Sequence, residues 1–177
     1  MSHCKVIKKK ICLLGSFGVG KTSLIRRFVY DIFDDQYLST IGVKVTQKLM
    51  APVDTELDEK IQHEFMIWDI EGYEQSAALT KSYYTGAAGA IVVCDLTRAE
   101  TIDNINLIIQ NFTEVNPDSK LVLAANKMDL IEGVSTTKTA IKEFVTSNNY
   151  ICHFTSALTG EKIEDCFLDL SKLLIKL

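Results

Sequence analysis

Eight consecutive residues carry the strongest chemical signal: Gly15-Ser16-Phe17-Gly18-Val19-Gly20-Lys21-Thr22. Their spacing is G-x-x-x-x-G-K-[ST], with an apolar run ahead and a helix-forming stretch behind. Glycines let backbone N–H groups turn inward around phosphate oxygens with no Cβ in the way. A helix N-terminus at Lys21 adds its partial positive charge. Lys21 is expected to reach the outer phosphates as a point charge, and the Thr22 hydroxyl to ligate Mg²⁺. Gly15, Phe17, Gly18, Val19, Gly20, Lys21, Thr22 and the following Ser23 are thus candidate nucleotide-binding residues. The chemistry is that of a nucleoside triphosphate.

The base is read elsewhere. Asn126-Lys127-Met128-Asp129 follows the apolar run Leu121 to Ala125, about 105 residues after the loop lysine. A carboxylate at Asp129 can accept from both N1–H and N2–H₂ of guanine, a donor pair that adenine lacks. Against adenine the carboxylate would be left buried and unpaired, which makes the discrimination steep. Ser156 and Ala157, after Thr155, are expected to close over the base with backbone N–H groups. Asp69-Ile70-Glu71-Gly72 has the form D-x-x-G, giving a carboxylate behind Mg²⁺ and a Gly72 N–H toward the γ-phosphate. The Thr40 hydroxyl would reach Mg²⁺ only when a γ-phosphate is present, and a loop that orders on that contact is a switch.

Such a site needs strands that end together and a helix that starts at the loop. Ile11 to Leu14 reads as a buried strand ending at Gly15, and Lys21 to Tyr30 as a helix with Leu24, Ile25, Phe28 and Val29 on one face. Further strands are expected over 43–50, 64–69, 90–95, 121–125 and 151–155, with a solvated turn or lengthened hairpin over 51–60. Helices are expected over 101–112, over 135–147 and from Glu161 onward. Strands alternating with amphipathic helices predict an α/β fold in one domain spanning 1–177.

Composition narrows the function classes. The chain has 177 residues, 19 Lys+Arg against 23 Asp+Glu and a net charge of −4. That balance speaks against nucleic acid as a partner, which requires a basic face. No apolar stretch reaches the roughly 18 residues of a membrane span, and no secretory core is present, so a cytoplasmic protein is expected. Five cysteines form no C-x-x-C pair, and three lie in apolar runs as buried thiols.

With these motifs in order, the sequence resembles the Ras superfamily of small GTPases, nearest the Rab-like branch. The resemblance runs from about Lys9 to Leu174, with Ser39-Thr40-Ile41-Gly42-Val43 and Trp68-Asp69 as its Rab-like features. It implies the fold of a P-loop NTPase, a doubly wound, mostly parallel sheet of six strands with one antiparallel and about five helices. It implies GTP/GDP and Mg²⁺ as ligands, with effector, exchange and activating proteins meeting the Thr40 and Gly72 switch regions. It also implies that Phe33 stacks on guanine and that Tyr37 covers the phosphates.

Three departures qualify the resemblance. Tyr73 stands where the family carries its water-positioning Gln, and Phe17 stands where relatives carry a small residue. A phenol near pKa 10 is a poor base at neutral pH and lacks the amide's paired donor and acceptor. Phe17 adds bulk beside the γ-phosphate. Lys21, Thr40, Gly72 and Tyr73 are therefore the candidate catalytic set of a GTP hydrolase expected to be slow. In the alternative, a shifted loop brings Gln75, or a carboxylate of Glu71 or Glu74, to the water. A GTP-bound interaction module with negligible hydrolysis is the other functional reading. The third departure is the end of the chain, Leu174-Ile175-Lys176-Leu177, which shows no prenylation cysteine, while Ser2 excludes N-myristoylation. A cytosolic protein, a lineage without that anchor, or a missing lipidated tail that would make it peripheral at a membrane all agree with this. Lys5, Lys8, Lys9 and Lys10 are expected in a solvated tail, with contact to anionic lipid as the alternative.

Overall fold

A computed structural model describes residues 4–33, 42–55, 59–70, 77–133 and 135–175. The elements run β1 (Cys4–Leu14), α1 (Lys21–Tyr30), β2 (Val43–Leu49), β3 (Val53–Asp54), β4 (Lys60–Ile70), α2 (Ala77–Tyr84) and β5 (Gly89–Asp95). They continue through α3 (Ala99–Asp103), α4 (Ile105–Val115), β6 (Lys120–Asn126), α5 (Thr136–Asn148), β7 (Ile151–Phe154) and α6 (Ile163–Leu173). The sheet order is β2-β4-β1-β5-β6-β7, with the two-residue β3 paired to β4 as a seventh strand. The β4-β1-β5-β6-β7 ladders are parallel, and β2 and β3 run antiparallel to β4.

Burial on both faces follows from the sequence of β1. Ile11 and Leu13 point into one apolar cluster and Cys12 and Leu14 into the other, as the two-residue period of a strand requires. The first cluster packs against α1 and α6, where the Phe28 and Phe167 rings stack at 3.7 Å. The second lies under α2, α3, α4 and α5, with the Tyr84 ring edge-on to Phe112 at 5.3 Å. Burial pushes the thiols of Cys12 and Cys94 up to about 12, so both are inert apolar filler.

The structure corrects several boundaries. The lysine-rich start is no tail: Cys4 to Lys10 is the first half of β1, in register with Lys60 to Met66 of β4. Main-chain pairing needs no apolar side chains, and the lysines find local partners. Lys8 lies 3.5 Å from Glu64, and Lys10 donates to the Thr85 carbonyl at 2.9 Å with its ammonium over the Trp68 ring. Residues 51–60 contain the lengthened hairpin, closed by β3 and a Thr55-to-Glu59 backbone bond of 2.9 Å. The helix expected over 101–112 is two, interrupted at Asn104, whose backbone stays in the right-handed region. Among the described residues no helix is long and apolar enough to cross a membrane.

Candidate functional site

Five strand ends meet at one edge of the sheet. Gly15 follows β1, Asp69 sits one residue before the end of β4, Asp95 ends β5, Asn126 ends β6 and Thr155 follows β7. The C-terminal edge of a parallel sheet is where open α/β folds bind ligands. The loop 15–20 crosses this edge and enters α1 with Gly20 as the capping residue, at φ +99° and with no side-chain cap bond. The first-turn N–H groups of any α-helix lack intrahelical acceptors, which makes this end of α1 favourable ground for an anion. Glycine is required at both ends of the loop. A side chain at Gly15 would strike the Val93 carbonyl, and one at Gly20 would strike the Asn126 amide.

Lys21 is 7% exposed, and its ammonium donates to the Gly15 and Ser16 carbonyls at 2.8 and 3.1 Å. The charge is thus folded back over the loop it must serve. Val19 is fully buried in the core under α1, so only its backbone is available to a ligand. Its carbonyl accepts from the Asn126 amide at 2.9 Å, which ties the phosphate loop to the base-reading segment. Phe17 is 40% exposed. Gly18 and Ser23 lie on the loop and in the first turn of α1, half-buried.

The carboxylate of Asp69 sits across from this loop. It is 2% exposed, and its Oδ2 accepts from the Thr22 hydroxyl at 2.6 Å. Among the described residues no donor reaches its buried Oδ1. Burial raises the Asp69 pKa, against the opposing effects of the Thr22 hydrogen bond and of the Lys21 and Lys44 charges. A buried carboxylate oxygen with an unmet lone pair, beside a hydroxyl, is a fitting hold for a hard cation or its bound water.

The base side is built by Asn126 and Ser156. Asn126 Oδ1 accepts from the Thr155 hydroxyl at 3.2 Å and the Ala157 N–H at 3.3 Å. The Ser156 hydroxyl donates to Asp129 Oδ1 at 2.5 Å, and the Met128 N–H donates to the Thr155 carbonyl at 3.0 Å. Lys127 adopts φ +64° and reaches Asp95 at 2.7 Å. Asp129 itself is exposed, so the discrimination expected from burying it arises only when a base covers it. Phe33 is half-buried and packs against the core cluster of α1 and α6. Thr40, Tyr37, Glu71, Gly72, Tyr73, Glu74 and Gln75 lie outside the described residues.

Asp95 is a site residue that none of the sequence motifs marks. This carboxylate is fully buried and accepts from Lys127, from the Thr97 N–H and hydroxyl, and from Arg98 Nε at 3.0 Å. Burial raises its pKa, but the hydrogen bonds from Lys127, Thr97 and Arg98 together outweigh that and hold it below the usual carboxylate range. The available signal was a charge ending an otherwise wholly apolar strand.

Comparison with known proteins decides the family. The Ras family profile matches residues 10–176. The chain belongs to the Ras family. It is 36% identical over 164 residues to Ras-related protein Rab-22A of Homo sapiens, covering 92% of this chain and 81% of that protein. Ras-related protein Rab-31 of Mus musculus is 35% identical over 164 residues, with the same coverage. Ras-related protein Rab5A of Oryza sativa subsp. japonica is 34% identical over 173 residues, 97% of this chain and 82% of that protein. The chain is thus a small GTPase of the Rab branch. With that membership go a guanine-nucleotide switch and, in general terms, protein partners that read and regulate it. The seven-stranded, mostly parallel sheet agrees with the P-loop fold the sequence implied, with β3 as the strand it did not anticipate.

Proposed function

We propose that this Rab-branch protein binds GTP and GDP with Mg²⁺ and hydrolyses GTP slowly, as a switch biased toward its GTP-bound state. The observation that carries the reading is Thr22 and Asp69 in contact beside the loop, with Asp69 Oδ1 left without a donor. In this reading Thr22, Asp69 and Thr40 hold Mg²⁺, which when bound neutralises phosphate charge. Gly15, Phe17, Gly18, Val19, Gly20, Lys21, Thr22 and Ser23 receive the phosphates, chiefly through backbone N–H groups and the Lys21 ammonium. Asn126, Lys127, Asp129, Ser156, Ala157 and Phe33 receive the guanine, and Tyr37 covers the phosphates.

Hydrolysis needs a water held in line with the γ-phosphoryl group, and by resemblance to the family the residue after Gly72 is the one that would position it. Tyr73 there lacks the paired acceptor and donor of an amide and its phenol is a poor base, so the water is poorly oriented and the GTP state persists. Effector, exchange and activating proteins would meet the Thr40 and Gly72 regions.

The test of the metal assignment is Thr22→Val, which keeps shape but removes the hydroxyl. Wild-type protein should release GDP at least tenfold faster when EDTA removes Mg²⁺. Thr22→Val should release GDP quickly with or without EDTA. An EDTA response as large as that of the wild type would contradict the assignment.

A further inference from the structure

Successive carbonyls of the phosphate loop are held by different cations. Lys21 takes those of Gly15 and Ser16, while Arg98 Nη2 donates to that of Phe17 at 2.8 Å, 81 residues away in sequence. Arg98 is itself anchored. Its Nε binds the fully buried Asp95, its N–H donates to the Asp95 carbonyl at 3.0 Å, and its own carbonyl accepts from Thr101 N–H and hydroxyl. Asp95 is fixed in turn by Lys127 and Thr97. A second tie comes from the same helical segment, where the Asn104 amide lies 3.5 Å from the Ser16 hydroxyl.

The consequence follows from peptide geometry. A trans peptide directs its C=O and the next N–H to opposite sides, and the chain's described peptides include no cis bond. Fixing the Phe17 carbonyl toward Arg98 therefore fixes the Gly18 N–H away from Arg98. Gly18, at φ +72°, has the backbone freedom to follow. A guanidinium on the carbonyl also polarises the peptide, making that N–H a stronger donor. We propose that Arg98 is a positioning residue of the phosphate loop, holding the Phe17 carbonyl outward so that the Gly18 N–H is aimed at bound phosphate. Because Asp95 also grips Lys127, the same strap links the phosphate loop to the base-reading segment. The proposal deepens the nucleotide-site reading and rests on it.

The experiment compares wild type, Arg98→Met, Arg98→Lys and Lys172→Met. The last removes an ion pair to Asp169 on α6, away from the loop. GDP dissociation is followed with a fluorescent nucleotide in Mg²⁺, and the Gly18 backbone amide is followed by NMR in the GDP-bound protein. Loss of one charge-assisted hydrogen bond predicts about tenfold faster release for Arg98→Met. Arg98→Lys, whose ammonium cannot span both Asp95 and Phe17 as the fork does, should fall between it and wild type. The Gly18 amide resonance should move in both Arg98 variants and stay in place in Lys172→Met. The proposal is overturned if Arg98→Met releases GDP within twofold of wild type, if the Gly18 amide does not move, or if Lys172→Met produces the same changes. A wild type that holds no guanine nucleotide overturns the site reading as well, whereas normal wild-type binding with silent Arg98 variants overturns this proposal alone.

Discussion

Asp129→Asn should exchange guanine for xanthine as the preferred base. The carboxylate offers two acceptors to the guanine N1–H and N2–H₂, whereas the amide offers one acceptor and one donor group. Xanthine carries a carbonyl in place of the 2-amino group and so complements the amide. Each hydrogen bond to a charged group is worth about 1.5–3 kcal/mol. Disturbing two of them should weaken GDP binding by about 10²- to 10⁴-fold, while xanthosine diphosphate binding rises. The Ser156 hydroxyl, which donates to Asp129, can equally donate to an amide oxygen, so the loop should keep its shape. Competition between labelled GDP and unlabelled GDP or xanthosine diphosphate reads the exchange. Unchanged guanine affinity would remove Asp129 from the base site.

Lys21→Ala should abolish tight binding of GDP and GTP. A unit charge about 4 Å from a phosphate contributes about 4 kcal/mol at an effective dielectric near 20, which corresponds to roughly 10³-fold in affinity. The loop also loses the donor for the Gly15 and Ser16 carbonyls. Circular dichroism separates a binding defect from a folding defect, and equilibrium titration with fluorescent GDP measures the loss. Affinity within tenfold of wild type would contradict the phosphate-loop assignment.

These two residues were legible because their signals are local. The strand-loop-helix around Gly15 to Thr22 combines an apolar run, glycines and a helical period within 20 residues, and the structure has β1, loop and α1 where that pattern puts them. Asn126 to Asp129 stands at the end of an unbroken apolar strand and is equally direct. What escaped the sequence depends on distant partners. The first half of β1 is lysine-rich and is a strand because β4 pairs with it, which no periodicity in Cys4 to Lys10 announces. Helix α2 is eight residues long, and among its described side chains only Tyr84, at its end, is buried, too little for an amphipathic pattern. The Arg98 contact with the Phe17 carbonyl joins residues whose proximity only the β1–β5 pairing creates.

The reading of the molecule as a switch biased toward GTP turns on residue 73. Single-turnover hydrolysis of GTP prebound in Mg²⁺, comparing wild type with Tyr73→Gln, tests it most directly. The account predicts a slow wild type that the substitution accelerates by tenfold or more, with the about 10²- to 10⁴-fold that one positioned group contributes to proton-transfer catalysis as the upper range. A wild type already as fast as Tyr73→Gln, or faster, would contradict it and assign the water to another group such as Gln75 or Glu71.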